Sequence, residues 1–235
     1  MPAYNVGNKI ESVYSTIPPE VYAMIDSFII VVGSTHDDTL EKAKKIQQKI
    51  KNVIIVAPPL NPGYGGAQKM GFRRALNEGA DVCVLLHSDG QCDSHKIPEL
   101  VKPILEGTAD VILGSRMLNA RIFKTTMPLY KYFGNRILTF CENVAFHSAI
   151  SEFHTGYIAY SKQALQKIPY EKLDDQFHFD GNMIVMALIH KLKIAEISVP
   201  TIYEDEKSNL KVFSYAWDIL KTIWKYKRGY YHRLQ

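Results

Sequence analysis

Short apolar runs rich in β-branched residues, separated by stretches of helical periodicity, constrain this chain more than any other feature. Residues 28–32, 53–57, 82–86, 111–113 and 194–199 each read as a buried parallel strand. Helical patterns lie between the first four. Leu40, Ala43, Ile46 and Ile50 share one face, behind Asp38 and Glu41 in a capping-box arrangement. Met70, Phe72, Ala75 and Leu76 make the next helix, closed by Gly79, and Ile97, Leu100, Val101, Ile104 and Leu105 make the third, followed by Gly107. Parallel neighbours cannot be joined by a tight turn, so this alternation demands βαβ crossovers. The expected fold is α/β, a mostly parallel sheet flanked by helices. Residues 1–5 read as the loop after a first strand that is itself missing or truncated. Ligands of such sheets bind beyond the carboxyl ends of the strands. The residues just after each strand are therefore the candidates for function.

The chain has 235 residues, 46% of them hydrophobic, enough for one such domain with its own core. A body over 1–206 and a tail over 207–235 are expected, because charge divides there. The net charge is +4, yet the tail alone holds seven basic residues against one acid, Asp218. The body is left mildly acidic, which speaks against a nucleic-acid partner on its folded face. Residues 117–150, with Pro128 and Gly134, read as an excursion from the sheet. Cys83, Cys92 and Cys141 are odd in number and lack C-x-x-C spacing. A reduced, cytoplasmic protein without a cysteine metal site is expected. No apolar run approaches the roughly 18 residues of a membrane span, and no secretory leader is recognisable.

Three clusters sit at strand ends. The third strand runs into His87, Ser88, Asp89, Gly90 and Gln91. Asp-Gly is a turn signal; equally, Asp89 and Gln91 offer hard oxygen ligands for Mg²⁺ or Mn²⁺ holding a diphosphate. Asn61, Pro62, Gly63, Tyr64, Gly65 and Gly66 form a glycine-rich entry to a helix, either an ordinary loop or a close backbone approach to phosphate. It has neither P-loop nor dinucleotide spacing. Gly114, Ser115 and Arg116 end the fourth strand, where an arginine either is solvated or clamps phosphate oxygens. His154 reads as a structural histidine or as part of an acceptor site, and no spacing suits zinc. His178 beside Asp180 admits an acid–base pair, although the alternation of Phe177 and Phe179 places these apolar rings toward the core.

In order along the chain stand Pro2-Ala3-Tyr4-Asn5, Asn61 with Gly65-Gly66, Asp89-Gly90-Gln91, Gly114-Ser115-Arg116, Met127-Pro128-Leu129, Gly134-Asn135-Arg136, His154-Thr155-Gly156-Tyr157 and Phe177-His178-Phe179-Asp180. The ordered set resembles family 2 glycosyltransferases of the dolichol-phosphate mannose synthase, or polyprenyl-phosphate, type. The resemblance implies a GT-A-like, Rossmann-like fold and inverting transfer of a hexose from a nucleoside-diphosphate sugar to a polyprenyl phosphate. It places Asp89 and Gln91 on the metal. Pro2, Ala3, Tyr4, Asn5, Gly65, Gly66, His87 and Asp89 fall on the donor, and Arg116, Lys131, Arg136 and His154 on the acceptor phosphate. Asp89 and Arg116 carry the chemistry. Four positions depart from the family pattern: Val6, Val32, Gly33 and Asn182 stand where carboxylates are usual. A soluble glycan acceptor and a non-catalytic nucleotide-sugar-binding descendant are the alternatives.

Phe213, Trp217, Leu220 and Trp224 recur at i, i+4, i+7 and i+11, with Lys221, Lys225, Lys227 and Arg228 set largely apart. Such a helix either packs on the domain or rests on anionic membrane, making 211–231 a peripheral contact with the cytoplasmic membrane face.

Overall fold

The computed structural model describes residues 1–119, 127–200 and 212–234, with the backbone alone at 212–214. The start of the basic tail over 207–211 and the side chain of Phe213 thus lie outside the described residues. The elements run β1 (Pro2–Ala3), α1 (Ile10–Ser15), α2 (Pro19–Tyr22), β2 (Phe28–Val32), α3 (Thr39–Lys49), β3 (Val53–Val56), α4 (Gly63–Asn77) and β4 (Val82–Val84). They continue α5 (Ile97–Leu105), β5 (Val111–Ser115), α6 (Leu129–Phe146), β6 (Ile158–Ser161), α7 (Lys162–Lys167), α8 (Phe179–Ile189), β7 (Ile194–Ser198) and α9 (Val212–Lys227).

β1, β2 and β3 form one parallel sheet, with Phe28 opposite Val53 and Ala3 opposite Val32. The first strand is therefore not missing. Its place is taken by Pro2 and Ala3, which read as a loop because a two-residue strand carries no periodicity. The second sheet is ordered β4-β6-β5-β7, and β6 runs antiparallel to both of its neighbours. β7 pairs parallel with β5 as expected, but it is an edge strand and only half-buried. The excursion over 117–150 contains the 18-residue α6.

Helix starts follow local chemistry with one change. Asp38 makes no side-chain cap at α3; it pairs with Lys42 at 3.0 Å instead. Asp37 takes the capping part, accepting from the Thr39 amide and hydroxyl and from the Gly7 amide at 2.6–3.1 Å. Val6 N–H reaches the Thr39 hydroxyl at 2.9 Å, and His36 N–H reaches Asn5 Oδ1 at 3.0 Å. The loop after β1 is thereby tied to the loop after β2.

Among the described residues two large apolar cores are accompanied by a small cluster of Met117, Met127 and Tyr132. One gathers the parallel sheet with α3 and α5, around Ile30, Val32, Ala43, Leu100 and Ile112. The other joins β5 and β6 to α8, around Leu113, Tyr160, Phe179 and Met183. The tail docks on α8 through a buried polar contact. Asn182 Oδ1 accepts from Tyr231 Oη at 2.7 Å and from Thr222 Oγ1 at 3.3 Å. Asn182→Ala leaves both hydroxyls buried without this acceptor, at a cost of about 1–3 kcal/mol. Thermal melts should show the midpoint lowered by roughly 2–10 °C; an unchanged midpoint would mean that the tail is not anchored there.

Candidate functional site

β4 ends at a turn that meets β1. Ser88 Oγ donates to Pro2 O at 2.7 Å, and Lys9 Nζ donates to Asp89 O at 3.3 Å. Asp89 Oδ1 accepts from Gln91 N–H at 2.9 Å, and Gly90 takes the left-handed φ of +82° that the turn requires. Asp89 is thus a turn residue in fact, with Oδ2 left over for other work among the described residues. Pro2 and Ala3 lie in β1, Asn5 is turned toward His36, and Tyr4 is half-exposed at the rim.

His87 is held from behind. Its Nε2 lies 2.9 Å from Gly156 O and 3.2 Å from the Tyr64 hydroxyl, with the two rings stacked. A donated Nε2–H leaves Nδ1 as the lone-pair nitrogen. Tyr64 in turn donates to Asp180 Oδ2 at 2.5 Å, and Gln68 Nε2 donates to Oδ1 at 2.8 Å. Asp180 is buried, which raises its carboxyl above the ordinary range despite a counteracting pull from His87 and the two hydrogen bonds.

Gly65 and Gly66 serve this network by close packing. Gly65 N–H donates to Asp175 O at 2.9 Å, and a Cβ there would stand 2.9 Å from Asp175 Cα and the Phe179 ring. The close backbone approach they permit is to the segment before α8. Their effect on the site is to seat Tyr64.

Arg116 follows β5 and is gripped by a fully buried Glu152. Its backbone N–H and Nε donate to that carboxylate at 2.7 and 3.0 Å, its Nη2 pairs with Oε1, and Nη2 also reaches His154 O at 2.9 Å. Asn135 of α6 adds a bond to Glu152 at 2.8 Å. Burial alone would raise the Glu152 carboxyl, but the Arg116 charge and hydrogen bonds hold it below its ordinary value. Lys131 and Arg136 lie on the same helix, with Arg136 over the Tyr132 ring at 5.8 Å. The Cys92 thiol sits among these groups. Burial pushes it up to about 12, with a backbone bond at His87 opposing, Asp89 and Asp180 raising it and Arg116 lowering it. His87 at the Gly156 carbonyl and Arg116 at the His154 carbonyl are thus held on one short segment, and the space between them is the candidate crevice.

The imidazole of His154 is not a cation in that crevice. Burial takes its pKa down to about 4. Nε2 lies 2.9 Å from a Glu142 oxygen but out of hydrogen-bonding alignment, and burial lifts the Glu142 carboxyl well above its usual range. What His154 offers Arg116 is its carbonyl. His178 and Asp180 do not pair either: the His178 ring lies against Tyr215 and Gly181. Phe177 is exposed and stacks on Tyr64, while Phe179 is buried, because this segment turns into α8 and is not extended. Val32 is 1% exposed within the apolar core, so a carboxylate at that position faces no ligand. Among the described residues no three His, Cys, Asp or Glu side chains gather to hold a metal.

The family model described as glycosyl transferase family 2 matches residues 1–169. The chain belongs to that family. A UDP-N-acetylglucosamine–dolichyl-phosphate N-acetylglucosaminyltransferase of Methanococcus voltae is 29% identical over 217 residues, 87% of this chain and 85% of the relative. A dolichol-phosphate mannosyltransferase of Pyrococcus furiosus is 28% identical over 116 residues, 49% of this chain and 32% of the relative. Among solved structures, glucosyl-3-phosphoglycerate synthase of Mycobacterium tuberculosis, in complex with Mn²⁺, UDP-glucose and phosphoglyceric acid, superposes with a TM-score of 0.71. That likeness is 19% identical and covers 94% of this chain and 76% of the other. The family 2 chain has a GT-A-like fold and is a glycosyltransferase. Glu152 and Asp180 are buried behind Arg116 and Tyr64, and Glu152 belongs to no motif that announces its role. Asp180 falls inside a quoted family segment, and Glu152 stands just before another.

Two outcomes are expected. A Cβ at Gly156 would fall 2.4 Å from His87 Nε2 and 3.2 Å from the Tyr64 hydroxyl. Gly156→Ala must displace His87, and transfer should slow by roughly a hundredfold in steady-state kinetics while the fold persists. His178 is buried and its pKa falls to about 4, chiefly from burial, with Asp218 raising and Lys225 lowering it. Below pH 6.5 the unfolded chain binds a proton that the folded chain does not, so this group withdraws stability as pH falls toward 4. Melts of His178→Phe should gain on the parent over that window by on the order of 3 kcal/mol at its acid end.

Proposed function

We propose that this glycosyltransferase moves a hexose from a nucleoside-diphosphate sugar to a polyprenyl-type lipid phosphate, with inversion at the anomeric carbon. The observation that carries the reading is that the His87–Asp89 turn and Arg116 are tied to one short segment, His87 at the Gly156 carbonyl and Arg116 at the His154 carbonyl. Opposite charges are positioned there for a diphosphate on one side and an anionic acceptor on the other.

His87 and Asp89 suit a divalent ion. A carboxylate oxygen and an imidazole nitrogen two residues apart match Mn²⁺ better than Mg²⁺, which prefers oxygen alone. Gln91 supplies a further oxygen. These residues would hold the ion, which when bound would supply charge neutralisation for a departing diphosphate. Pro2, Ala3, Tyr4 and Asn5 flank the same turn on the donor side. Arg116 faces the acceptor phosphate, oriented by Glu152, with Lys131 and Arg136 beside it. An ionised lipid phosphate is already a nucleophile, so the protein's task is orientation and charge stabilisation more than proton removal.

A lipid acceptor needs a membrane-facing surface. No described helix is long and apolar enough to cross a membrane. α9 packs through Ile219 and Thr222 yet leaves Trp217 61% and Trp224 59% exposed, which favours peripheral contact of this helix with the cytoplasmic membrane face. It also favours lipid over a soluble glycan.

Calorimetry with UDP-glucose, UDP-N-acetylglucosamine and GDP-mannose, each with and without Mn²⁺, tests the donor side. Asp89→Asn should cut metal-dependent donor binding sharply and turnover by roughly a hundredfold. Unchanged metal dependence in the variant would leave Asp89 a turn residue and nothing more.

A further inference from the structure

α6 is built inside out. Phe133, Ile137, Phe140 and Val144 recur at i, i+4, i+7 and i+11, the spacing of one helix face, and all four are more than half exposed. Ile137 and Phe140 reach 63% and 68%. The opposite face, with Tyr132, Thr139, Glu142 and Phe146, is the buried one. On a helix bathed in water the outer face is polar, and monomeric proteins rarely expose contiguous apolar patches beyond a few hundred Å².

α9 lies beside it, with the Phe146 and Tyr226 rings 4.9 Å apart edge to face. Its outward stripe of Trp217, Leu220 and Trp224 likewise stands opposite its buried Ile219 and Thr222. The two neighbouring helices therefore both turn apolar faces outward. Charge decides what covers them. The single carboxylate of α6, Glu142, is buried, while Arg136 is exposed next to the stripe. Exposed Lys221, paired with Asp218 at 3.0 Å, and Lys227 on α9 border the tryptophans, and just past the helix the exposed Arg228 guanidinium lies 5.0 Å over the Trp224 ring, leaving a net basic rim. An apolar face with aromatic residues and a basic rim matches the headgroup region of an anionic bilayer.

We propose that α6 and α9 together form the membrane-docking face of this enzyme, seated on anionic lipid, with α6 supplying the larger apolar contact. The proposal rests on the lipid-phosphate reading of the acceptor. It also links that reading to the crevice: α6 meets lipid on one face and on another carries Asn135, which helps to hold the Glu152–Arg116 pair. The acceptor's phosphate would thus be received one helix thickness from the surface that holds its chain.

Flotation with phosphatidylcholine vesicles, with and without phosphatidylglycerol, tests the proposal on the full chain. A variant with Phe133→Gln, Ile137→Gln, Phe140→Gln and Val144→Gln should lose more than about tenfold in vesicle partitioning at every salt concentration, because apolar burial is not screened. Its melting temperature should match the parent's, since the four side chains are exposed. The single change Phe140→Gln gives a smaller loss of the same kind and keeps the test valid should the fourfold variant fold poorly. Vesicle binding by the α6 variant equal to the parent's overturns the proposal. So does a parent that binds no vesicles but is a dimer in light scattering, broken by the same changes: a second copy then covers the face. Transfer to a short, water-soluble isoprenyl phosphate separates the two readings. Vesicle binding without such transfer sinks the acceptor assignment and leaves docking intact, whereas transfer without vesicle binding sinks docking alone.

Discussion

A buried carboxylate, Asp180, ties the two halves of the molecule together at the point where the crevice forms. Left alone in an apolar setting, such a group would strongly disfavour the folded state. Tyr64 and Gln68 from α4 satisfy it, and through Tyr64 it reaches His87 and the Gly156 carbonyl. One contact chain thus runs from the start of α8, through the helix following the parallel sheet, to the carboxyl end of β4. The ring that stands nearest the donor turn is positioned by a residue that itself lies behind the crevice. Glu152 plays the matching part on the other side, fixing Arg116 from a site fully out of water. His87 and Arg116 are thus each oriented by a buried acid, an arrangement that favours rigidity over reach.

Much of this was legible in the residues, for identifiable reasons. The β-branched runs at 28–32 and 111–113 became strands buried on both faces, where pattern and burial agree, and the run at 53–57 gave the half-buried edge strand β3. The turn at Asp89–Gly90 and the arginine after β5 stood where strand ends put them. β6 escaped notice because four residues after a glycine and a tyrosine carry too little pattern, and its antiparallel insertion interrupts a sheet that otherwise reads as parallel. Asp180 was visible as a neighbour of His178, but its bonds to Tyr64 and Gln68 were not, because Phe177 and Phe179 mimic a strand's alternation whereas the chain is entering a helix buried on nearly every side. Glu152 has no sequence neighbour that hints at an arginine thirty-six positions earlier. Such pairings are made by the fold, and local sequence holds no record of them.

The departures from the family pattern also have structural readings. Val32 belongs to the apolar core of the parallel sheet, so its side chain is not a ligand that has been lost from an otherwise waiting pocket. Asn182 receives the hydroxyls of Thr222 and Tyr231 and so joins the tail to α8. A neutral amide suits that buried junction, where an ionised glutamate would need a countercharge. Asp37 and Asp38, a few positions beyond β2, are spent on Gly7, Thr39 and Lys42. Both acids brace loops.

The antiparallel insertion of β6 has a consequence for how the molecule comes into being. β1, β2 and β3 pair over short chain distances and can assemble early, whereas β4 finds its partner only in β6, with Val82 opposite Ser161. Long-range pairings of this kind are reached late because the intervening chain must first be ordered. On a ribosome, the strand that delivers His87 and Asp89 emerges well before the strand and glycine that hold them in place. A nascent chain would therefore pass through a stage with its first sheet formed and its second sheet's edges open, the stage at which such proteins are most exposed to misassembly.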